Sequence, residues 1–466
     1  MRTDAWFDWV VIGAGPAGQK AAIQAAKAGH RVAVVERGRH VGGECVHRGT
    51  IPSKALREMA SRLRHLRQTP VAVQLPQDTP MASLLGSVSG IVDAHVHYQL
   101  DQLQRNGITV IHGRARFVDP HHVEIQPPRG QPERIGADRF VIATGSVPRR
   151  PPGVPIDHRL VLDSDSILSQ PYLPRRLAVL GAGVIGCEYA TVFKELGSQV
   201  TLIDRAPRPL AFMDPELSER LVQRFEGGGC RYLPERSIEG IERGHVDVRV
   251  CLGDGAVVET DKVLVALGRT ANVERLGLSE LGIARTRRGH VEVDEAYRTS
   301  VPHVLAIGDA IGFPALAATS MEQGRRAVRR ALGLSVNEAS HAVPIGIYTL
   351  PELASIGATE DEALERCSAI RIGRCDFAEV ARGQIAGEDG MLKLIATADN
   401  ARILGVHIFG GKATELIHLG QLALLGDQPP SVFVDNTFNF PTLAEAYRIA
   451  ALALERETAL RTATAA

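Results

Sequence analysis

The chain carries no disulfide framework. Its six cysteines, Cys45, Cys187, Cys230, Cys251, Cys367 and Cys375, sit at no framework or metal spacing, and no Cys-x-x-Cys pair occurs. That excludes a small stapled scaffold and points to a reducing, cytoplasmic compartment. A metal set is lacking too: His95 and His97 face different sides of a predicted helix, and His121-His122 falls in a polar turn. Excess charge is absent, with 53 Lys plus Arg against 53 Asp plus Glu. There is no electrostatic reason to expect nucleic acid or an anionic membrane as partner. No apolar run approaches the roughly 20 residues that span a bilayer. Trp9-Val10-Val11-Ile12 runs straight into glycines with no cleavage site, so no secretory leader is expected. What remains is globular composition, 44% hydrophobic and 23% charged, over 466 residues. That is too long for one core, and two to four domains are expected.

The organising feature is a repeat. Trp9-Val10-Val11-Ile12 leads into Gly13-Ala14-Gly15-Pro16-Ala17-Gly18, an alanine-rich helical stretch, and a strand ending at Glu36. Leu177-Ala178-Val179-Leu180 leads into Gly181-Ala182-Gly183-Val184-Ile185-Gly186, a second helical stretch, and a strand ending at Asp204. First glycine to acid spans 23 positions in both copies, 13 to 36 and 181 to 204. The glycines let the backbone turn tightly and approach a pyrophosphate. The helix N-terminus offers that anion unpaired N–H groups, and the acid accepts from ribose hydroxyls. One such turn is weak evidence; two with equal spacing predict two dinucleotide sites.

Other segments fit the same architecture. Phe140 to Ile142 is a strand running into Ala143-Thr144-Gly145-Ser146, small residues suited to close passage of a ligand. Val263-Leu264-Val265-Ala266-Leu267-Gly268 repeats the pattern after the second turn, and Asp309 follows the strand at Val304. Pro127 to Pro132 reads as a hairpin tip, and residues 55–105 as a helical insert. Beyond residue 340 the pattern becomes strands with alternating faces plus helices, as in Met391 to Ile395. Met321 to Arg330 reads as a solvated basic helix face, and the tail Arg461 to Ala466 as frayed.

On these residues the chain resembles the FAD-dependent pyridine nucleotide-disulfide oxidoreductases, over about residues 7–452. The resemblance implies an α/β fold with two Rossmann-like FAD- and NAD(P)-binding domains plus a C-terminal α+β dimerisation domain. It divides the chain into an FAD-binding part (1–150), an NAD(P)-binding domain (151–275), a second FAD-binding part (276–340) and an interface domain (341–466). Gly13, Gly15, Gly18, Glu36, Gly43, Lys54, Thr144, Gly145 and Asp309 would line the FAD site. Gly181, Gly183, Gly186, Asp204 and Gly268 would line the nicotinamide dinucleotide site. Lys54 and Glu188 would pair near flavin N5, where a positive charge favours electron uptake. A homodimer or higher homo-oligomer is implied, with nicotinamide dinucleotides as small-molecule partners.

Two positions depart from a disulfide reductase. Gly42-Gly43-Glu44-Cys45-Val46-His47-Arg48-Gly49-Thr50-Ile51-Pro52-Ser53-Lys54 has Thr50 where the family places its second active-site cysteine. A hydroxyl neither forms a disulfide nor stores electrons. In Asn439-Phe440-Pro441-Thr442-Leu443-Ala444-Glu445, Phe440 replaces the histidine that would shuttle a proton, and Glu445 stands without its partner. Both departures, with Asp163 to Leu168 and Pro344 to Thr349, resemble the soluble pyridine nucleotide transhydrogenase branch, although Arg48 stands where that branch commonly has tryptophan. The implied activity is FAD-dependent hydride transfer between NADPH and NAD⁺, of the Si-specific type and without an active-site disulfide. Alternatives are a dihydrolipoamide dehydrogenase-like reductase, a quinone- or oxygen-reducing NAD(P)H oxidoreductase, and a redox-silent nucleotide-binding scaffold.

Two questions stay open in the sequence. Cys45 is either an inert buried residue or a lone thiolate whose pKa His47 and Arg48 depress. Asp204 suits NAD and repels a 2′-phosphate, since a unit-charge pair at ~4 Å is worth about 4 kcal/mol at an effective dielectric near ~20. Arg205 and Arg208 either supply the compensating phosphate contacts or solvate a loop.

Overall fold

The computed structural model describes residues 5–67, 75–76, 79–86, 88–226, 229–337, 342–456 and 459–462. Buried β-branched runs place the first strands. Ala5–Ile12 lies parallel between Val32–Glu36 and Glu133–Ile142, with Thr109–His112 beyond Val32–Glu36. Val304–Ala306 returns late in the chain to pair in parallel with Glu133–Ile142. This brings Asp309 back beside the first glycine turn. Pro127 to Pro132 joins the antiparallel strands His122–Gln126 and Glu133–Ile142, the predicted hairpin.

The second sheet repeats the plan. Arg176–Leu180 lies parallel between Gln199–Ile203 and Lys262–Val265. An antiparallel ribbon of Ser146–Pro148 and Arg269–Ala271 ties the two units together. In the insert, Thr50–Arg67 and Val88–Arg105 are helices, while 68–74, 77–78 and 87 lie outside the described residues.

The third sheet is antiparallel, with Met391–Thr397 between Ile403–Gly410 and Ala369–Asp376. The α/β class with a C-terminal α+β unit is therefore as predicted. The alternating faces expected from Met391 to Ile395 are absent, because every residue there is buried. Leu392 and Leu394 pack with Ala446 and Tyr447 of the helix Glu445–Ala453. The opposite face is covered from the second unit, where Asp214 and Glu216 meet the Lys393 ammonium. The basic helix Ala317–Ala331 compensates its own charge, since Glu322 pairs with Arg325 and Arg326 and backbone carbonyls take Arg329 and Arg330. The tail is not frayed at Arg461: Leu460–Thr462 forms an edge strand on Ala369–Asp376, and residues 463–466 lie outside the described residues. No helix among the described residues is long and apolar enough to cross a membrane.

Candidate active site

The first glycine turn is closed by the backbone on two sides. A side chain at Gly13 would place its Cβ 2.4 Å from the Ala143 carbonyl, and one at Gly18 would meet the Gly13 carbonyl at 1.9 Å. Gly15 faces only the Gly43 Cα at 4.0 Å, so its outer face stays open. Glu36 reaches back under the turn and accepts from the Ala14 N–H at 2.8 Å and the Gly38 N–H at 2.7 Å. The helix Pro16–Lys27 starts here, with Pro16 in its first turn where no N–H is needed.

A cavity of about 1250 Å³ opens from this turn, beyond the ~300–1,000 Å³ of an ordinary ligand cleft. Gly13, Gly15, Glu36, Gly43, Cys45, Thr50, Lys54, Thr144, Gly145, Glu188 and Asp309 all line it. The structure thus gathers eleven residues drawn from distant parts of the chain. Gly18 stays beneath the turn. The cavity walls fit FAD on two observations: the face of Gly15 is open, and the buried Thr144 hydroxyl has no protein partner. Two lining residues, Ser146 and Arg269, lie at the ends of the small-residue strand patterns, but nothing in the sequence joins them. Ser146 donates to Asp309 at 2.7 Å, and Arg269 donates to the Ser146 hydroxyl at 2.8 Å and its carbonyl at 2.9 Å. Asp309 is positioned through that relay.

Lys54 enters from the helix Thr50–Arg67 and Glu188 from Val184–Leu196, and Nζ lies 2.5 Å from Oε2. The other Glu188 oxygen accepts from the Tyr348 N–H at 2.9 Å. The Tyr348 ring sits 4.9 Å beneath the Lys54 ammonium. One helix turn on, Arg57 meets the buried Glu352 at 2.7 Å, and Glu352 also accepts from Thr414. All three units therefore hold this charge pair. Tyr348 falls within the stretch Pro344 to Thr349, but its backbone role depends on a cross-domain contact that sequence spacing does not encode.

Of the two readings of Cys45, its surroundings favour the neutral thiol. Burial pushes its thiol above the ordinary range, more strongly than the Thr50 hydroxyl hydrogen bond and Lys54 pull it down; the Asp309 charge adds to the rise. His47 and Arg48 are engaged elsewhere. His47 Nε2 lies 2.9 Å from the Val41 carbonyl. Arg48 stands 3.7 Å from Glu44 and 3.8 Å from Asp165. Burial, and then their mutual repulsion, raise Glu44; burial also raises Asp165, ahead of the charges around it.

The second turn copies the first. A Cβ at Gly181 would lie 2.6 Å from the Ala266 carbonyl, and one at Gly186 would lie 1.8 Å from the Gly181 carbonyl, while Gly183 faces nothing within 4 Å. Asp204 accepts from the Ala182 N–H and, at 2.7 Å, from the Ala206 N–H. Gly268 takes φ +98° just past its strand. Arg205 is exposed. Arg208 donates one Nη to the Ala211 carbonyl at 3.1 Å, and its buried Nε has no partner. These residues lie outside the cavity wall, but Val184, Ile185, Glu188 and Tyr189, from the start of the same helix, line it. Glu445 is not brought to the cavity of its own chain. It accepts from the Thr442 N–H at 3.4 Å, and Phe440 beside it is 74% exposed.

Residues 7–324 match the pyridine nucleotide-disulphide oxidoreductase family, and residues 343–451 match its dimerisation domain. Proteins named soluble pyridine nucleotide transhydrogenase are similar over nearly the whole chain. The one from Pseudomonas putida is 41% identical over 453 residues, covering 96% of this chain and 97% of its own. The one from Mycobacterium tuberculosis is 41% identical over 451 residues, with 96% of each chain covered. Among solved structures, the HOCl-induced flavoprotein disulfide reductase RclA from Escherichia coli, as its Cu(II) complex, superposes with a TM-score of 0.89 at 26% identity. It spans 97% of this chain and 100% of its own. LpdA from Mycobacterium tuberculosis gives 0.88 at 26%, over 96% and 100%. A cradle-and-cavity geometry of this kind, matched along the whole length, places the chain in the pyridine nucleotide-disulphide oxidoreductase family, with FAD and NAD(P) as its cofactors.

Proposed function

We propose that the protein is a Si-specific transhydrogenase-type enzyme that moves a hydride from NADPH to NAD⁺ by a ping-pong route, without an active-site disulfide. The observation that carries this reading is the pairing on the cavity wall: Lys54 and Glu188 are in place, while Cys45 faces Thr50 instead of a second thiol. FAD, when bound, supplies a two-electron acceptor that can also return the hydride. In our reading Gly13, Gly15 and Gly43 admit the FAD diphosphate, Glu36 and Asp309 take its hydroxyls, and Thr144 and Gly145 line its path. Gly181, Gly183, Gly186 and Gly268 admit the nicotinamide dinucleotide, with Asp204 at its ribose and Arg205 and Arg208 at a 2′-phosphate.

The chain's residues have limited work to do. Lys54 sets a positive charge at the inner wall, and Glu188, fixed by the Tyr348 N–H, keeps that charge from moving. Cys45 stays a neutral thiol and Thr50 a hydroxyl, so no second electron store exists on the wall. The balance is NADPH plus NAD⁺ giving NADP⁺ plus NADH, with no net proton, and no general base is needed. Phe440, which cannot carry a proton, suits that balance.

We also read the protein as a cytoplasmic homodimer or higher homo-oligomer, supported by the dimerisation-domain match, the exposed Leu422, Leu425 and Phe440, and six free cysteines. The test of function is anaerobic mixing with NADPH and thio-NAD⁺, with quinone and lipoamide in parallel. Transfer to thio-NAD⁺ without oxygen supports the proposal. Turnover only with quinone, oxygen or lipoamide sinks it, and a flavin band that NADPH fails to bleach indicates a redox-silent protein.

A further inference from the structure

A group of buried charges lies outside the cavity. Lys393, on the central strand of the third sheet, is 2% exposed. Its ammonium is 3.0 Å from Asp214, 3.2 Å from Glu216 and 3.0 Å from Glu360. Arg374 on the neighbouring strand reaches Glu216 at 2.9 Å and Glu360 at 3.9 Å. Burial holds nearby His407 below its ordinary value, and its ring is occupied by the Ala358 carbonyl and the Ser355 hydroxyl. It therefore adds no charge to the group. Removing one member would strand buried charges, so the cluster acts as a fixed joint between the second unit and the third sheet.

What the joint holds is the segment after Asp204. That segment carries Arg205 and Arg208 and ends at Asp214, which is fully buried. Inside it, Leu210 donates its N–H to the Ala182 carbonyl of the glycine turn at 2.9 Å, and Met213 donates to Leu210 at 2.7 Å. Leu210 takes φ +49°, a left-handed conformation that a leucine keeps only where its surroundings impose it. The segment is thus pinned by Asp204 at one end and by Lys393 at the other.

We infer that the Lys393–Asp214 pair is a positioning device for cofactor selection. It holds residues 205–213 so that the Arg208 guanidinium, fixed through the Ala211 carbonyl, is presented to the 2′-phosphate of NADP(H). The third sheet thereby sets the NADP-over-NAD preference. This rests on the reading of Arg205 and Arg208 given above.

The test measures binding of 2′,5′-ADP and of 5′-AMP to the FAD-loaded protein by calorimetry. Asp214→Asn keeps the shape and removes the charge. The expected result is an affinity for 2′,5′-ADP reduced about tenfold, with 5′-AMP within about twofold and kcat with NADH unchanged. Lys393→Arg, which keeps a cation in place, retains the discrimination. If Asp214→Asn fails to fold, by flavin absorbance and a cooperative melt, Glu216→Gln is read the same way, with an expected shift of about threefold. Equal weakening of both ligands, or no change in either, overturns the inference. Arg205→Ala plus Arg208→Ala separates the two readings. If that variant binds 2′,5′-ADP normally, the phosphate assignment fails. If it loses binding while Asp214→Asn does not, only the joint fails.

Discussion

In the first glycine turn a side chain at the middle residue, Gly15, would meet the Gly43 Cα at 4.0 Å; in the second, one at Gly183 would meet nothing within 4 Å. Everything below that level is shared. Each turn forbids a side chain at its first and third glycines through a carbonyl closer than 3.0 Å, and each acid reaches back to the alanine N–H inside its own turn. Both turns are crossed by a later segment, with Gly42 donating to the Ala14 carbonyl in the first and Leu210 to the Ala182 carbonyl in the second, each at 2.9 Å. The difference is at the middle glycine, which only the first crossing, through the left-handed Gly42 and Gly43 at φ +118° and +61°, approaches within 4.0 Å. On the proposed function, the first cradle would hold a resident dinucleotide and the second one that exchanges, and the difference at the middle glycine is consistent with those two tasks.

The comparison breaks most cleanly at the third glycines. In Gly18→Ala the new Cβ meets a carbonyl at 1.9 Å, and in Gly186→Ala at 1.8 Å, so neither turn can close unchanged. Gly18→Ala is expected to purify without flavin. Gly186→Ala is expected to stay yellow and to lose at least about 100-fold in kcat/KM for both nicotinamides, ~2.7 kcal/mol. Absorbance ratios and steady-state rates check both, and flavin loss in Gly186→Ala would show that the two turns are not separate sites.

Between the turns, Lys54→Met removes the wall charge. We expect kcat to fall about 10²-fold with flavin retained, by analogy with the loss of one preorganised donor. A change confined to KM would mean that Lys54 only binds. On the proposed assignment, the segment after the second turn also carries the selectivity. Arg205→Ala plus Arg208→Ala should raise KM for NADPH about tenfold, ~1.4 kcal/mol, and leave NADH unaffected.

The smallest effect is expected on the cavity wall, at Cys45. Burial favours the neutral thiol and raises its pKa, so at every pH the thiolate fraction stays below that of a free cysteine, whose ordinary value is near ~8.5. Iodoacetamide labelling followed against pH should rise later than for a model thiol. Labelling that saturates at neutral pH would restore the thiolate reading.

The two turns were legible because spacing carries them. Strand, glycines, helix and acid recur over one local interval, and parallel pairing of Ala5–Ile12 with Val32–Glu36 follows from the crossover helix. Lys54 and Glu188 were legible only through resemblance, since 134 residues separate them. Tyr348 and Arg269 complete the site through contacts between units, which no local period records. Met391 to Ile395 was misread for a related reason. Alternation assumes one wet face, and here a second unit covers that face and lends Asp214 to a buried lysine. The basic helix is less bare than its composition suggests, because Glu322 pairs with both Arg325 and Arg326 one turn on.

The central claim is that hydride leaves by the route it entered, with no thiol relay. Anaerobic transfer from NADPH to thio-NAD⁺ by the Cys45→Ser variant tests it directly. We predict a rate within about twofold of the native protein. A loss of about tenfold or more, with flavin content unchanged, would contradict the account.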